Sequence, residues 1–307
     1  MASTFTDRLT VGICQKKSPL LVGLDPRWEQ LPDVFRKTAD SDNPADRAAA
    51  YREFCREVID VVAPLVPAVK PQAAFFEQLG PAGMAALADV IQYAAKKDLV
   101  VIADGKRGDI GSTAVAYAEA YLGREQSIWG ADALTVNPYL GDDSLAPFAK
   151  VAADRHAGIF VLVKTSNPGG KTFQDLDTDG GPLYMRVAEL VDRLASQSPG
   201  HCGYGCVGAV VGATYPEELV DLRDTMPHTW FLVPGFGAQG GDASDVAGAF
   251  DERGLGAVIN SSRDIIFAHA REPYAEKFGA TEWQQAVESA TLEAIQQLSD
   301  ATPAGRL

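Results

Sequence analysis

Two carboxylates flank a lysine in Asp104-Gly-Lys106-Arg-Gly-Asp109, directly after the apolar run Val100-Val-Ile-Ala. Residues two apart on a strand share a face, so Asp104 and Lys106 are expected to project together. Asp109 follows on a short glycine-bearing loop. A lysine between two carboxylates stays protonated, because nearby negative charge favours its charged form. Such a group can deliver a proton to a strongly basic carbon. Standing alone, the segment reads as a solvated cluster at the surface end of a strand. The other chemistry-bearing residues of the chain reverse that reading.

Those residues recur where other short apolar runs stop: Asp25, Lys70, Asn137, Thr165 with Ser166, the stretch Pro234-Gly-Phe-Gly237-Ala-Gln239-Gly-Gly-Asp242, and Asn260-Ser-Ser-Arg263. Gly235, Gly237, Gly240 and Gly241 would let the backbone approach an anion with its N–H groups bare. Arg263 adds a planar, permanently charged donor fork. Taken singly, these are an ordinary strand-to-helix turn and a surface ion pair; together they read as a phosphate site. Lys70, Asp104, Lys106 and Asp109 are expected to form a row of alternating charge in which each group keeps its neighbour ionised. The histidines (His156, His201, His228, His269) lie away from these positions, and no Ser-His-Asp order or metal-ligand cluster is evident.

The elements that must position these groups follow from periodicity. Short runs rich in Val, Ile and Leu occur at 20–24, 68–70, 100–103, 133–136, 158–163, 207–211, 230–233 and 257–260, as expected for parallel strands covered on both faces. Helical patterns fall between them, at 45–62, 81–97, 183–194 and 216–223, with Pro216 suited to a first turn. Eight alternations predict an α/β fold, a closed (β/α)8 (TIM) barrel, over an open doubly wound sheet. No Gly-x-Gly-x-x-Gly stands at the first strand-helix turn, which weakens the dinucleotide-binding alternative. In such a barrel the active groups come from the C-terminal strand ends, and phosphate sites from the loops after strands seven and eight. An apolar stripe over about 281–299, opened by a capping-box pattern at Thr281–Gln284, predicts an extra C-terminal helix. The long irregular stretch 166–182 follows the fifth strand and is a candidate lid over the barrel mouth. No domain-splitting linker is evident, so residues 1–307 are expected to form a single barrel domain.

The chain has 307 residues, 46% of them hydrophobic, and a formal net charge of −14. That acidity argues against nucleic acid or an anionic membrane as partner, while leaving room for an anionic small ligand held locally. Cys14, Cys55, Cys202 and Cys206 lack zinc-site spacing and are expected to be reduced thiols of a cytoplasmic protein. The N-terminus lacks a signal-peptide pattern, and no apolar run is long enough to cross a bilayer.

From about residue 20 to 267 the chain resembles orotidine 5′-phosphate decarboxylases. The resemblance is carried by Asp104-x-Lys106-x-x-Asp109 followed by Ile110 and Thr113, by Lys70, by Ser166-Asn-Pro-Gly, and by Pro234-Gly-x-Gly237-Ala-Gln239-Gly-Gly with Arg263. The segments Val69-Lys70-Pro-Gln-Ala-Ala-Phe-Phe-Glu77 and Thr135-Val-Asn137-Pro-Tyr are similar to the longer bacterial (type 2) branch; the long 166–182 stretch departs from the shortest versions. The resemblance implies conversion of orotidine 5′-monophosphate to UMP and carbon dioxide without metal or cofactor. It implies that Lys106 stabilises and protonates the ring carbanion, with Asp104 and Asp109 orienting it. Lys70 and Asp25 would hold the ribose hydroxyls and Ser166 the pyrimidine edge, with Asn137 also among the substrate contacts. Gln239 and Arg263 would bind the phosphate. It implies a homodimer in which the 109–113 segment, including Ile110 and Thr113, reaches the neighbouring subunit's site. One rival is a related sugar-phosphate decarboxylase or aldolase, which shares the Asp-x-Lys-x-x-Asp pattern but places a magnesium-binding carboxylate where this chain has Lys70. Another is a non-catalytic nucleotide-binding barrel, which would have no need of Lys106.

Overall fold

The computed structural model describes residues 3–37, 39–214, 216–236 and 242–307. Parallel strands close into a barrel in sequence order. They are β1 (Leu20–Leu24), β2 (Ala68–Pro71), β3 (Val100–Arg107), β4 (Ala133–Val136), β5 (Gly158–Lys164), β6 (Val207–Val211), β7 (Phe231–Pro234) and β8 (Ala257–Ser261). The ring closes where β1 pairs with β8, Leu20 opposite Ile259. Around it lie α1 (Phe5–Lys16), α2 (Pro44–Val62), α3 (Gly80–Lys96), α4 (Gly111–Tyr121), α5 (Asp142–Asp154), α6 (Leu183–Ala195), α7 (Pro216–Thr225) and α8 (Trp283–Ala301), with shorter helical turns between.

Local chemistry explains these elements. Every residue of β1, β6 and β8 is buried, as both faces of a covered parallel sheet require. Helix α2 starts where the Asn43 side chain accepts the Ala45 N–H and Pro44 occupies the first turn. Its Tyr51, Phe54, Cys55, Val58 and Ile59 form the stripe buried against the strands. Helix α8 docks beside it through Trp283, whose ring lies 5.7 Å from that of Phe35 and 5.5 Å from that of Phe54.

The barrel interior is a second apolar core, and α1 completes it. Phe5, Leu9 and Ile13 are fully buried and pack with Leu21, Ile102, Phe160, Trp230 and Val258. The Phe5 and Phe160 rings meet edge to face at 5.8 Å. Beside this plug the fully buried Asp132 carboxylate takes Arg8 at 2.5 Å and Arg124 at 2.7 Å. The N-terminal end of the barrel is thereby filled, leaving the C-terminal end for chemistry.

Three expectations are revised. The capping pattern at Thr281 is not used: Glu282 is the N-cap residue of α8 and its side chain makes no capping bond. The stretch 166–182 is not irregular: it holds a helical turn at Pro168–Gly170, a short helix at Lys171–Gln174, and a hairpin pairing Asp177–Thr178 with Gly181–Pro182. Strand β3 extends through the charged residues to Arg107, beyond the apolar run. Among the described residues no helix is long and apolar enough to cross a membrane.

Candidate active site

Strands β2, β3 and β4 deliver one buried carboxylate and its partners to the C-terminal mouth. Asp104 is 6% exposed, and each of its oxygens receives two hydrogen bonds. Lys70 Nζ, 2.7 Å away, and Gln72 Nε2, at 3.0 Å, donate to Oδ2. Lys106 Nζ, at 2.6 Å, and the Thr135 hydroxyl, at 2.9 Å, donate to Oδ1. Burial works to raise the Asp104 pKa, but Lys70 and then Lys106 hold it well below the usual carboxylate range. Burial works to lower the pKa of Lys70, and Asp104 followed by Asp25 outweighs it, leaving that amine above its ordinary value. Both groups are therefore ionised at neutral pH.

Asp104 and Lys106 do meet, though not through a regular pleat. Ala103 pairs with Leu134 and Arg107 with Val136, so β3 takes four steps where β4 takes two. Within this bulge Lys106 has φ of 45°, a left-handed conformation costing a non-glycine residue roughly 1–2 kcal/mol. Its side chain is 47% exposed and reaches into the mouth. The half-buried Asp109 carboxylate accepts the Ile110 N–H at 2.8 Å and makes no ion pair among the described residues. The expected four-member charge row is, within this chain, a row of three.

Two connected hollows open over this cluster, sharing Lys70, Asp104 and Pro234 as walls. The larger, about 530 Å³, has Lys106 and Thr135 at its floor and Leu162, Val210 and Leu232 as apolar walls. Ser166, Asn167, Gly170, Phe173 and Gln174 cover it. The smaller, about 210 Å³, is lined by Asp25, Gln72, Gly235, Phe236, Asn260, Ser262 and Arg263. Here Asp25 Oδ1 and Asn260 Oδ1 are buried acceptors without a hydrogen-bond donor among the described residues. Arg263, half-buried at the start of a short helix after β8, makes no ion pair among the described residues. Unmet acceptors and a guanidinium suit a ligand bearing hydroxyls and an anion. Gly235 carries φ of 104°, a conformation that favours glycine, directly after β7. Gly237 and Gln239, with Gly240 and Gly241, lie outside the described residues.

Some candidates lie elsewhere. Asn137 is exposed, lines neither hollow, and closes a turn by accepting the Tyr139 N–H at 2.9 Å. Ile110, 56% exposed, is the N-cap of α4, Thr113, also exposed, lies in its first turn, and neither lines either hollow. No histidine lines either one, and no metal-holding group of His, Cys, Asp and Glu occurs among the described residues.

Gln72, Thr135 and Lys164 were missed. Gln72 is two residues beyond Lys70, hence on its face, and Thr135 is the one hydroxyl in an apolar strand. Lys164 ends an apolar run as Lys70 does. Its side chain, 5% exposed, pairs with Asp175 from the segment over the mouth and with Glu218 of α7 at 3.3 Å. Thr165 and Gln174 add a reciprocal clasp: the Thr165 N–H donates to Gln174 Oε1 at 2.9 Å and Gln174 Nε2 to the Thr165 hydroxyl at 2.7 Å. These bonds fasten the covering segment to β5 and α7.

Comparison with known proteins adds an independent line. The family described as Orotidine 5′-phosphate decarboxylase / HUMPS family matches residues 18–278. A protein of Rhodopirellula baltica named orotidine 5′-phosphate decarboxylase is 58% identical, over 96% of this chain and 99% of its own. One of Deinococcus radiodurans with the same name is 41% identical, over 91% and 95%. Among solved structures, the Leishmania donovani OMP decarboxylase superposes with a TM-score of 0.70 at 36% identity, covering 94% of this chain and 99% of that one.

Proposed function

The chain belongs to the orotidine 5′-phosphate decarboxylase / HUMPS family, and from that premise we propose how its barrel mouth carries out the reaction. The protein decarboxylates orotidine 5′-monophosphate to UMP and carbon dioxide, a step of pyrimidine biosynthesis. The observation that carries the mechanism is the pair of ammonium groups, Lys70 and Lys106, set on opposite oxygens of the buried Asp104.

The pyrimidine enters the larger hollow, between its apolar walls and Ser166, whose polar groups meet the amide edge of the ring. Ribose lies over the smaller hollow, where Lys70 donates to a hydroxyl and Asp25 accepts from one. The phosphate reaches Arg263 and Pro234, with Gly237 and Gln239 assigned to it from the sequence motif. The bond between the ring carbon and the carboxylate breaks, carbon dioxide leaves, and the electron pair stays on that carbon in the ring plane, where the π system cannot spread it. Lys106 Nζ stabilises that charge and gives it a proton. The resulting neutral amine recovers its proton from solvent. Asp104 keeps the ammonium aimed at the carbon. All charge stabilisation comes from side chains in this reading, and no metal or cofactor takes part.

Lys70 disfavours the sugar-phosphate rival: an ammonium 2.7 Å from Asp104 occupies the place a magnesium ligand would need. We further propose that the chain acts as one barrel unit and works as a homodimer. Asp109, without an ion-pair partner among the described residues, and Ile110, Tyr117, Tyr139 and Leu140, exposed on the third and fourth strand-to-helix connections and α4, support a second copy against this rim. Segment 166–182 is read as the lid, and the four free cysteines fit the reducing cytoplasm.

Purified protein, treated exhaustively with chelator and given orotidine 5′-monophosphate, is expected to release carbon dioxide and UMP in equal amounts. Turnover that disappears with chelation and returns with magnesium favours the sugar-phosphate type of chemistry; UMP binding without any turnover leaves a nucleotide-binding barrel.

A further inference from the structure

We propose that Thr135 is a positioning residue for the Lys106 ammonium; the inference rests on the reading that Lys106 delivers the proton. Thr135 is the polar residue of an otherwise apolar β4, and it is 1% exposed. A hydroxyl has one proton to give and lone pairs to receive with. Here the proton goes to Asp104 Oδ1 at 2.9 Å, and a lone pair takes the Lys106 backbone N–H, also at 2.9 Å. The same Asp104 oxygen receives Lys106 Nζ at 2.6 Å. Lys106 is thus held at both ends through one hydroxyl, its backbone directly and its amine by way of Asp104.

The need for such a tie lies in the backbone. Lys106 adopts φ of 45° inside a bulge, where the regular β3–β4 register is interrupted. A non-glycine residue stays in that region only where its surroundings over-determine it. Arg107, next in sequence, is anchored on its own account by Glu77 and by the Tyr121 hydroxyl at 3.2 Å. Neither of those partners hydrogen-bonds to Asp104 or Lys106; of the described groups that hold Asp104 in place, Lys70, Gln72 and Thr135, Thr135 is the one that also binds the Lys106 backbone.

The test compares Thr135→Val, which keeps the shape and removes the hydroxyl, with Thr135→Ser, which keeps the hydroxyl. The valine protein is expected to lose about 10- to 100-fold in kcat while its affinity for UMP stays within about threefold. Serine should restore kcat to within about threefold. A second readout follows from microscopic reversibility: the neutral Lys106 amine takes the ring proton of bound UMP, so in heavy water that hydrogen exchanges for deuterium, and the valine protein should exchange it more slowly by the same factor as kcat. Wild-type kcat and exchange in the valine protein overturn the inference. So does a parallel loss of UMP affinity and thermal stability, which would mark a structural role. If the valine protein does not fold, Thr135→Cys against Thr135→Ser asks the same question, and equal kcat for the two overturns it. Absence of turnover in the unmodified protein would instead overturn the functional reading itself.

Discussion

Lys70 and Lys106 approach opposite oxygens of one carboxylate, at 2.7 and 2.6 Å from Asp104. They differ in exposure: the Lys70 side chain is 6% exposed, that of Lys106 47%. The buried amine is fixed and the open one is presented to the mouth. In the proposed mechanism that asymmetry separates a group that builds the site from one that reacts in it.

Lys106→Ala should therefore abolish turnover, by at least about 10³-fold in kcat, since both charge stabilisation and proton delivery go. Its half-open position means little packing is lost. UMP affinity, measured by calorimetry, is expected to stay within a few-fold, and near-normal kcat would refute the role given to this amine.

Asp104→Asn should destabilise the protein by on the order of 3 kcal/mol, because it leaves Lys70 buried without its main counter-charge. The pH dependence has a definite sign. The Asp104 carboxyl is held below its ordinary value, so its contribution is whole above about pH 4 and is lost as pH falls through the depressed pKa. The Lys70 amine is pushed up, so its contribution is whole below about pH 10 and is lost as pH rises through the raised pKa. Denaturant melts should show the wild-type advantage over the variant held around neutral pH, closing in acid below about pH 4 and in alkali above about pH 10. A gap that closes between pH 6 and 8 would contradict the assignment.

Arg263→Ala should weaken UMP binding and lower kcat/KM by roughly 10²-fold, the range for losing charge-assisted bonds to a phosphate. Part of the loss should fall on kcat, because phosphate contacts far from the reacting carbon support closure of the covering segment. A change confined to KM would disconnect phosphate binding from that closure.

Asp109 offers a test of assembly. Lys106→Ala and Asp109→Ala proteins are each expected to be nearly inactive. If Asp109 serves the neighbouring site, mixing and re-equilibrating them creates hybrid dimers with one intact site, recovering roughly a quarter of wild-type activity. No recovery would place Asp109 in its own subunit's site, and an active Asp109→Ala protein would place it outside the reaction.

The barrel was legible because its strands are short apolar runs buried throughout, as at Leu20–Leu24 and Ala133–Val136. Strand β3 was read short because its last residues are charged and strained, and periodicity reports neither bulges nor positive φ. Helix α1 was passed over because Phe5, Leu9 and Ile13 sit in a polar stretch of low average hydropathy; only the barrel interior gives their spacing a meaning. In the site, Asp104, Lys106 and Lys70 were readable from their placement at strand ends. Thr135 was not, because one threonine in an apolar strand is ordinary until its hydroxyl is seen to face two partners. Asn137 shows the converse: a polar residue at a strand end that serves its own turn.

The plug formed by α1 has a bearing on traffic. With Phe5, Leu9 and Ile13 filling the far end and Asp132 clamped by two arginines there, the barrel is a blind well rather than a tunnel. Gas formed at its floor has to escape upward, past the same rim by which the nucleotide came in. On the proposed lid reading, opening of the segment held by Lys164 and Asp175 would govern the departure of both products.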